Sequence, residues 1–295
     1  MRHLILIIAC IITNAATANT PTKRALLIGI SSYPVYSTQG MSWSTIHGAN
    51  DVELIKPVML KQGFSVHTIT NSKAKAADIR DALDMLARQT NNGDIVYIHF
   101  SGHGQPYEDT SGDEADGWDE AIVPYDARAT YKKGVYEGER HITDDELSIR
   151  IGRIREHAGK DGFVYVVLDA CHIGGASRGK EDDEEDVPMR GSSIGFSPNN
   201  RQYAPRIDTR PVITIHDSNT RLSPTCYLEA CRAYQTNCEI RMGGHYYGAL
   251  SWYVCQVLRY TKLSKDIKWI NDVEQLMRKD KRLVRQNIVI EKSIK

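Results

Sequence analysis

The hydrophobic pattern along the chain switches repeatedly between two periods. Arg24-Ala25-Leu26-Leu27-Ile28-Gly29-Ile30 is a near-continuous apolar run, the pattern of a strand buried on both faces. From Ser44 to Leu60, the apolar residues Ile46, Ala49, Leu54, Ile55, Val58 and Met59 recur mostly at helical spacing. Phe64 to Thr70 is short and β-branched, which predicts a second strand. Ser72 to Arg88 carries Ile79, Ala82, Leu83 and Leu86 on one face of an amphipathic helix. Asp94 to Phe100 and Phe163 to Leu168 predict two more buried strands, and between them Thr143-x-x-Glu146 is a capping box that opens a helix. Further on, Cys226 to Ala233 predicts a strand, Tyr246 to Tyr260 and Asp272 to Lys279 predict helices, and Asn287 to Ile290 predicts an edge strand. Repeated β-α units imply an α/β fold, with a mostly parallel central sheet sandwiched by helices on both faces.

Two stretches break the alternation. Gln105 to Arg140 is polar and rich in Gly and Asp, predicting a long loop with a small hairpin. Residues 177–225 are longer still, with the acidic run Glu181-Asp182-Asp183-Glu184-Glu185-Asp186 and several prolines. Long loops of this kind are usually functional or disordered.

The N-terminus reads as a targeting signal. Arg2 and His3 precede an apolar run from Leu4 to Ile12, and Ala16-Thr17-Ala18 offers small residues at the spacing of a signal-peptidase site. The run is too short to span a bilayer. Residues 1–18 are therefore expected to be a signal peptide, and 19–295 a secreted or periplasmic chain. A rival reading, a lipoprotein box at Ile7-Ile8-Ala9-Cys10, leaves a short leader and ranks second. No later segment has the length of apolar sequence that a transmembrane helix needs.

Lys plus Arg total 37 and Asp plus Glu total 37. A net charge of zero provides no field to gather nucleic acid or an anionic membrane, so nucleic acid is not an expected partner. Without Cys10, five cysteines remain: Cys171, Cys226, Cys231, Cys238 and Cys255. An odd number outside the cytosol suggests one free thiol and two disulfides. The spacing of the last four does not give two short zinc-type pairs, which leaves buried thiols or disulfides of open pairing.

The chemistry concentrates at two strand ends. One strand runs into Ser101-Gly102-His103-Gly104 and the other into Asp169-Ala170-Cys171-His172-Ile173-Gly174-Gly175. Ligands of open parallel sheets bind beyond the carboxyl ends of the strands. A cysteine nucleophile needs an imidazole to take its proton, and His103 and Cys171 would stand at one sheet edge. The backbone N–H groups of Gly104 and Cys171 are the natural oxyanion donors. A lone cysteine at a strand end is usually a small buried hydrophobe; it is the joint placement that points to catalysis. A phosphatase loop is disfavoured, because it needs its arginine one residue closer to the cysteine than Arg178 stands, and Asp169 would repel a dianion.

These segments resemble the caspase-like peptidases, most closely type I metacaspases and their bacterial relatives. The matching pieces are residues 23–30, Gly48-Ala49-Asn50-Asp51-Val52, Phe100-Ser101-Gly102-His103-Gly104 and Leu168-Asp169-Ala170-Cys171-His172. Downstream, Glu229-Ala230-Cys231-Arg232-Ala233-Tyr234-Gln235 with Glu239, and Gly248-Ala249-Leu250-Ser251, resemble the small-subunit region. The resemblance implies a caspase-like three-layer sandwich divided into a large-subunit-like part (19–176), a linker (177–225) and a small-subunit-like part (226–295), acting as a monomer. It implies peptide-bond hydrolysis by a Cys171–His103 dyad. It also implies that Asp51 and Asp169 line an acidic pocket for Lys or Arg in protein or peptide substrates, through charge-assisted hydrogen bonds. Asp119, Asp144 and Asp145 fall in motifs that bind an activating calcium ion in some metacaspases; the chemistry itself requires no cofactor. Ile173 departs from the family, where Ser is frequent. Arg178, Lys180, Arg190, Arg201, Arg206 and Arg210 offer self-cleavage sites in the linker. The alternative is a catalytically silent module that binds basic peptides.

Overall fold

The computed structural model describes residues 20–36, 42–171, 188–192, 194–205, 207, 213–215 and 221–293. The proposed leader, Cys10 and parts of the 177–225 linker, including Arg178, Lys180, Arg206 and Arg210, lie outside them. In chain order the elements are β1 (Lys23–Gly29), α1 (Gly48–Lys61), β2 (Ser65–Thr70), α2 (Ala76–Gln89), β3 (Ile95–Ser101), β4 (Gly104–Glu108), β5 (Trp118–Ile122), β6 (Ile142–Thr143), α3 (Asp144–Ala158) and β7 (Phe163–Asp169). They continue with β8 (Ile213–Ile215), β9 (Thr225–Glu229), β10 (Glu239–Met242), β11 (His245–Gly248), α4 (Ala249–Leu258), α5 (Lys268–Lys279) and β12 (Val289–Ser293).

Seven strands form the main sheet in the order β2-β1-β3-β7-β9-β12-β8. β2, β1, β3, β7 and β9 run parallel, and β12 is antiparallel to β9. The period of two along each strand feeds two cores. In β1, Ala25 and Leu27 face a core shared with α1, α4 and α5, whereas Leu26 and Ile28 face a core shared with α2 and α3. β7 does the same, with Phe163, Tyr165 and Val167 on one side and Val164 and Val166 on the other. Truncating a central residue such as Leu27 to Ala would cost about 2–5 kcal/mol, because the gap cannot collapse between sheet and helices.

The predicted elements recur with shifted ends, and some expectations need correction. The small hairpin predicted within 105–140 is present as β4 and β5, and β6, just beyond that stretch, extends it to a three-stranded antiparallel sheet. β12 is not an edge among the described strands, because β8 from the linker pairs with it. The strand predicted over 226–233 stops at Glu229, leaving Cys231 beyond its end. Of the buried thiols or disulfides that the sequence left open, the described residues have the thiols: Cys171, Cys226, Cys231, Cys238 and Cys255 are all reduced and buried. Thr143 does cap α3: its side chain accepts from the Glu146 N–H.

Register places the site. Gly29 pairs with Ser101 and Ser101 with Asp169 across β1, β3 and β7. His103 and Cys171 thus each stand two residues beyond the same row of the sheet. α1 starts against this row. A Cβ at Gly48 would lie 2.2 Å from the Ser101 carbonyl oxygen, so only glycine lets the helix begin there.

Candidate active site

His103 is fully buried. Its ring stacks on Trp43 with centroids 5.1 Å apart and tilts against Tyr33 at 5.2 Å. Nε2 lies 2.9 Å from the Ser44 carbonyl oxygen, which can only accept, so Nε2 carries the hydrogen. Nδ1 therefore holds the lone pair, and it has no hydrogen-bond partner among the described residues. Burial lowers the imidazole pKa to about 4, with the Arg190 charge adding to the effect against the Ser44 contact, so the ring is a neutral base at physiological pH.

Cys171 follows the end of β7 by two residues and is also buried. Its thiol donates to the Gln235 carbonyl oxygen at 2.9 Å. Cysteine and histidine thus leave neighbouring strands at one level, but the thiol proton points to the small-subunit-like side and the dyad is not closed by a hydrogen bond.

Asp51 and Asp169, far apart in sequence, are brought together. Asp51 lies in the first turn of α1 and Asp169 at the end of β7, both fully buried. Between them sits Arg190, from the linker and equally buried. Its Nη2 is 2.7 Å from Asp51 Oδ2, and its Nη1 is 3.4 Å from Asp169 Oδ1. A third carboxylate completes the cage: Glu239 Oε1 accepts from Arg190 Nε at 3.1 Å and from Nη2 at 2.8 Å. Ser101 Oγ donates to Asp51 and accepts from Arg190. Gly248 closes the cage; its N–H donates to Asp51 at 3.0 Å, and a Cβ there would lie 2.2 Å from Asp169 Oδ2.

Burial and the nearby Asp169 push the Asp51 carboxyl up to about 7 against the pull of Arg190. Burial also pushes on Asp169, but Arg190, Asn237 and Ser251 outweigh it and hold the carboxyl below its ordinary range. Asn237 donates to Asp169 Oδ1 at 2.7 Å, while Ser251 donates to Oδ2 from its backbone at 2.7 Å and its hydroxyl at 2.6 Å.

The backbone around Arg190 is strand-like. Met189 bridges Cys238 antiparallel. The Arg190 N–H donates to Asn237 O at 3.1 Å, and the Glu239 N–H donates to Pro188 O at 3.1 Å. Residues 188–190 thus add a strand to the edge before β10, in the manner of a bound peptide.

Asp119, Asp144 and Asp145 lie away from this cage, around β5 and the start of α3. Asp119 is grouped instead with Asp109 and Asp113, their carboxylate oxygens within 4.8 Å of one another. Burial and the charges of Asp109, Asp145 and Asp113 push Asp119 up to about 6. Asp144 keeps solvent contact, yet partial burial, Glu120 and Asp119 hold its carboxyl above the ordinary range.

Sequence reasoning did not assign Glu239 to the pocket and did not single out Arg190 from the other linker basics. No local signal in the sequence marked either residue for this role.

A family model described as the caspase domain matches residues 22–293. Metacaspase-3 of Arabidopsis thaliana is 32% identical over 162 residues, covering 52% of this chain and 40% of the relative. Metacaspase-1A of Aspergillus fumigatus is 25% identical over 289 residues, covering 86% of this chain and 65% of the relative. The chain thus spans about two fifths of the plant relative's length. Among solved structures, a Geobacter sulfurreducens protein superposes with a TM-score of 0.63 at 18% identity, covering 92% of this chain and 94% of its own. Caspase-1 from Spodoptera frugiperda gives a TM-score of 0.52 at 13% identity, covering 92% and 86%. At these identities the structural likeness speaks to the fold, and the fold is the caspase sandwich. With nearly its whole length matched by the family model, the chain belongs to the caspase-domain peptidase family.

Proposed function

We propose that the protein is a cysteine endopeptidase that cleaves after Arg or Lys and processes its own linker after Arg190. The observation that carries this reading is the seating of Arg190: a guanidinium inside three carboxylates, on a backbone paired like a substrate, at the sheet edge that presents Cys171. A fully buried cage of this charge has no use for an acidic or apolar side chain, since an unpaired buried carboxylate is costly.

The chemistry follows from the site. Rotation of Cys171 away from Gln235 hands the thiol proton to His103 Nδ1, and the sulfur attacks the carbonyl carbon of the basic residue. The oxyanion takes hydrogen bonds from the Cys171 and Gly104 N–H groups. Collapse breaks the C–N bond while His103 returns the proton to the leaving amine, and water then opens the thioester with His103 again as base. Asp51, Asp169 and Glu239 orient the basic side chain. Because Arg190 fills the cage, another substrate must displace it.

Calcium fits the acidic cluster. Hard oxygen donors suit the ion, and Asp119, crowded by Asp109, Asp113 and Asp145, is a carboxylate that a cation would relieve. Asp109, Asp113 and Asp119 would hold it, with Asp144 and Asp145 adding charge. Bound there, calcium would neutralise the cluster and stiffen β5 and the start of α3.

The test is mass spectrometry of wild type beside Cys171→Ala after incubation with and without calcium, together with Arg, Lys and Asp reporter peptides. The expected result is a cut between Arg190 and Gly191 only with Cys171 present, and turnover of basic reporters. Folded wild type that cuts neither itself nor any reporter removes the reading. A second reading, a silent binder of basic peptides, draws on the Cys171–Gln235 hydrogen bond; its Cys171 would alkylate no faster than an ordinary thiol.

A further inference from the structure

One buried thiol beside the nucleophile has no part in the proposed chemistry. Cys231 lies two residues beyond β9, and β9 is the parallel neighbour of β7, which ends beside Cys171. The Ala230 N–H donates to Leu168 O at 3.0 Å, carrying the strand pairing to the residue before Cys231. Both sulfurs flank one acceptor, the Gln235 carbonyl oxygen, which lies 2.9 Å from Cys171 Sγ and 3.6 Å from Cys231 Sγ. The adjoining Cys171 thiol, together with burial, holds the Cys231 thiol well above its ordinary range. They form a small cluster of their own, with Tyr203 and Tyr234 packed against it and separate from both main cores. The β7–β9 register sets Cys231 one step off Cys171, level with Ala170; past the strand ends it is the shared Gln235 carbonyl that brings the two sulfurs together.

We propose that Cys231 is a resolving thiol, which closes a reversible disulfide onto Cys171 when the protein meets hydrogen peroxide. The Cys171 thiolate, its proton on His103, attacks one peroxide oxygen. The O–O bond breaks, Cys171 becomes a sulfenic acid, and the departing oxygen takes the proton and leaves as water. The Cys231 sulfur then attacks the Cys171 sulfur. The S–S bond forms as the S–O bond breaks, and the released hydroxide takes the Cys231 proton to give a second water. Two sulfurs lose two electrons and the peroxide gains them. A dithiol reductant reverses the bond by two exchanges, with Cys171 leaving as thiolate.

The other buried thiols lack this arrangement. Cys226 and Cys255 both belong to the apolar core under the sheet, whereas Cys171 and Cys231 form their own cluster. The disulfide would shut the peptidase without letting Cys171 reach the irreversible sulfinic state. This consequence for activity rests on Cys171 being the nucleophile; the linkage itself does not.

The test is peroxide treatment of the full chain, followed by alkylation, non-reducing digestion and mass spectrometry, with peptidase activity read in parallel. The expected product is a Cys171–Cys231 linked peptide that dithiothreitol removes, activity returning with it. In Cys231→Ser, Cys171 should accumulate as sulfinic and sulfonic acid, and activity should be lost for good. An active wild type whose Cys171 reaches sulfinic acid as fast as in Cys231→Ser overturns the proposal, as does a linkage to Cys238 instead. A Cys171–Cys231 linkage in protein that cleaves nothing upholds the thiol pair and removes the proposed function. The wild-type mapping decides even if Cys231→Ser fails to fold.

Discussion

Arg190 and Asp51 form an ion pair 2.7 Å long in which neither side chain reaches solvent. Such a pair costs more to break than it contributes when made, because removing one partner strands the other. In a Cys171→Ala background, which prevents self-cleavage, Arg190→Ala would leave Asp51, Asp169 and Glu239 facing one another. The expected loss is about 3–5 kcal/mol, read from urea unfolding at pH 7.5. The loss should shrink on acidification, as Asp51 takes up a proton in place of the arginine. Unchanged stability at pH 7.5 would mean that the cage does not hold the guanidinium.

The contacts of Glu239 predict a preference within the basic class. Its Oε1 accepts from both Nε and Nη2 of Arg190, a fork that a lysine ammonium cannot reproduce. Arg reporters should therefore be cleaved more efficiently than Lys reporters by about tenfold in kcat/KM, the worth of one charge-assisted hydrogen bond. Glu239→Gln should narrow that ratio. Asp169→Asn should instead depress both substrates by two or more orders of magnitude, since it removes a charge buried under either side chain. Equal losses in the two variants would contradict this division of roles.

The sheet was legible because its strands are buried on both faces. Residues 24–30, 94–100 and 163–168 carry little but apolar side chains in short, mostly β-branched or aromatic runs, the pattern of strands covered on both faces. His103 and Cys171 were legible for a related reason, since a strand ending in glycines announces where a parallel sheet opens. The Arg190–Glu239 pair was not legible. It joins residues 49 apart through a side chain whose charge balances only when four segments converge, and none of those segments has an unusual local pattern. The cysteines misled for a physical reason too. Their number suggested disulfides, but Cys226 and Cys255 are packed as small apolar groups, and burial alone accounts for them.

The acidic cluster predicts a calcium effect that is independent of turnover. Ion binding to the folded state alone stabilises it by about 2.7 kcal/mol at a hundredfold excess over Kd. Calcium added to Cys171→Ala protein should therefore raise its melting temperature, and Asp119→Asn should remove most of the rise. The Asp119 carboxyl, pushed up to about 6 by burial and by Asp109, Asp145 and Asp113, must lose its proton to bind. The calcium shift should accordingly be larger at pH 7.5 than at pH 5.5. A shift that survives Asp119→Asn would place the ion elsewhere.

Acid should destabilise the fold through histidines held neutral. His99, His103 and His141 are all buried, and burial is the leading cause that lowers them to about 4, about 4 and about 3. Their unfolded value is about 6.5. A base depressed in the folded state contributes its full stability above the unfolded value and loses it as pH falls toward the folded one. His141 isolates this effect, since it lies outside the cage, bonded to Tyr136 Oη at 2.8 Å and to Gln105 Oε1 at 2.9 Å. Between pH of about 6 and 4.5, wild type should lose stability relative to His141→Gln at about 1.4 kcal/mol per pH unit, one proton's worth. Urea unfolding of the two proteins in the Cys171→Ala background measures that slope directly. Parallel pH profiles would show that His141 is protonated in the folded state, and that its contacts with Tyr136 and Gln105 hold a cation rather than a neutral ring.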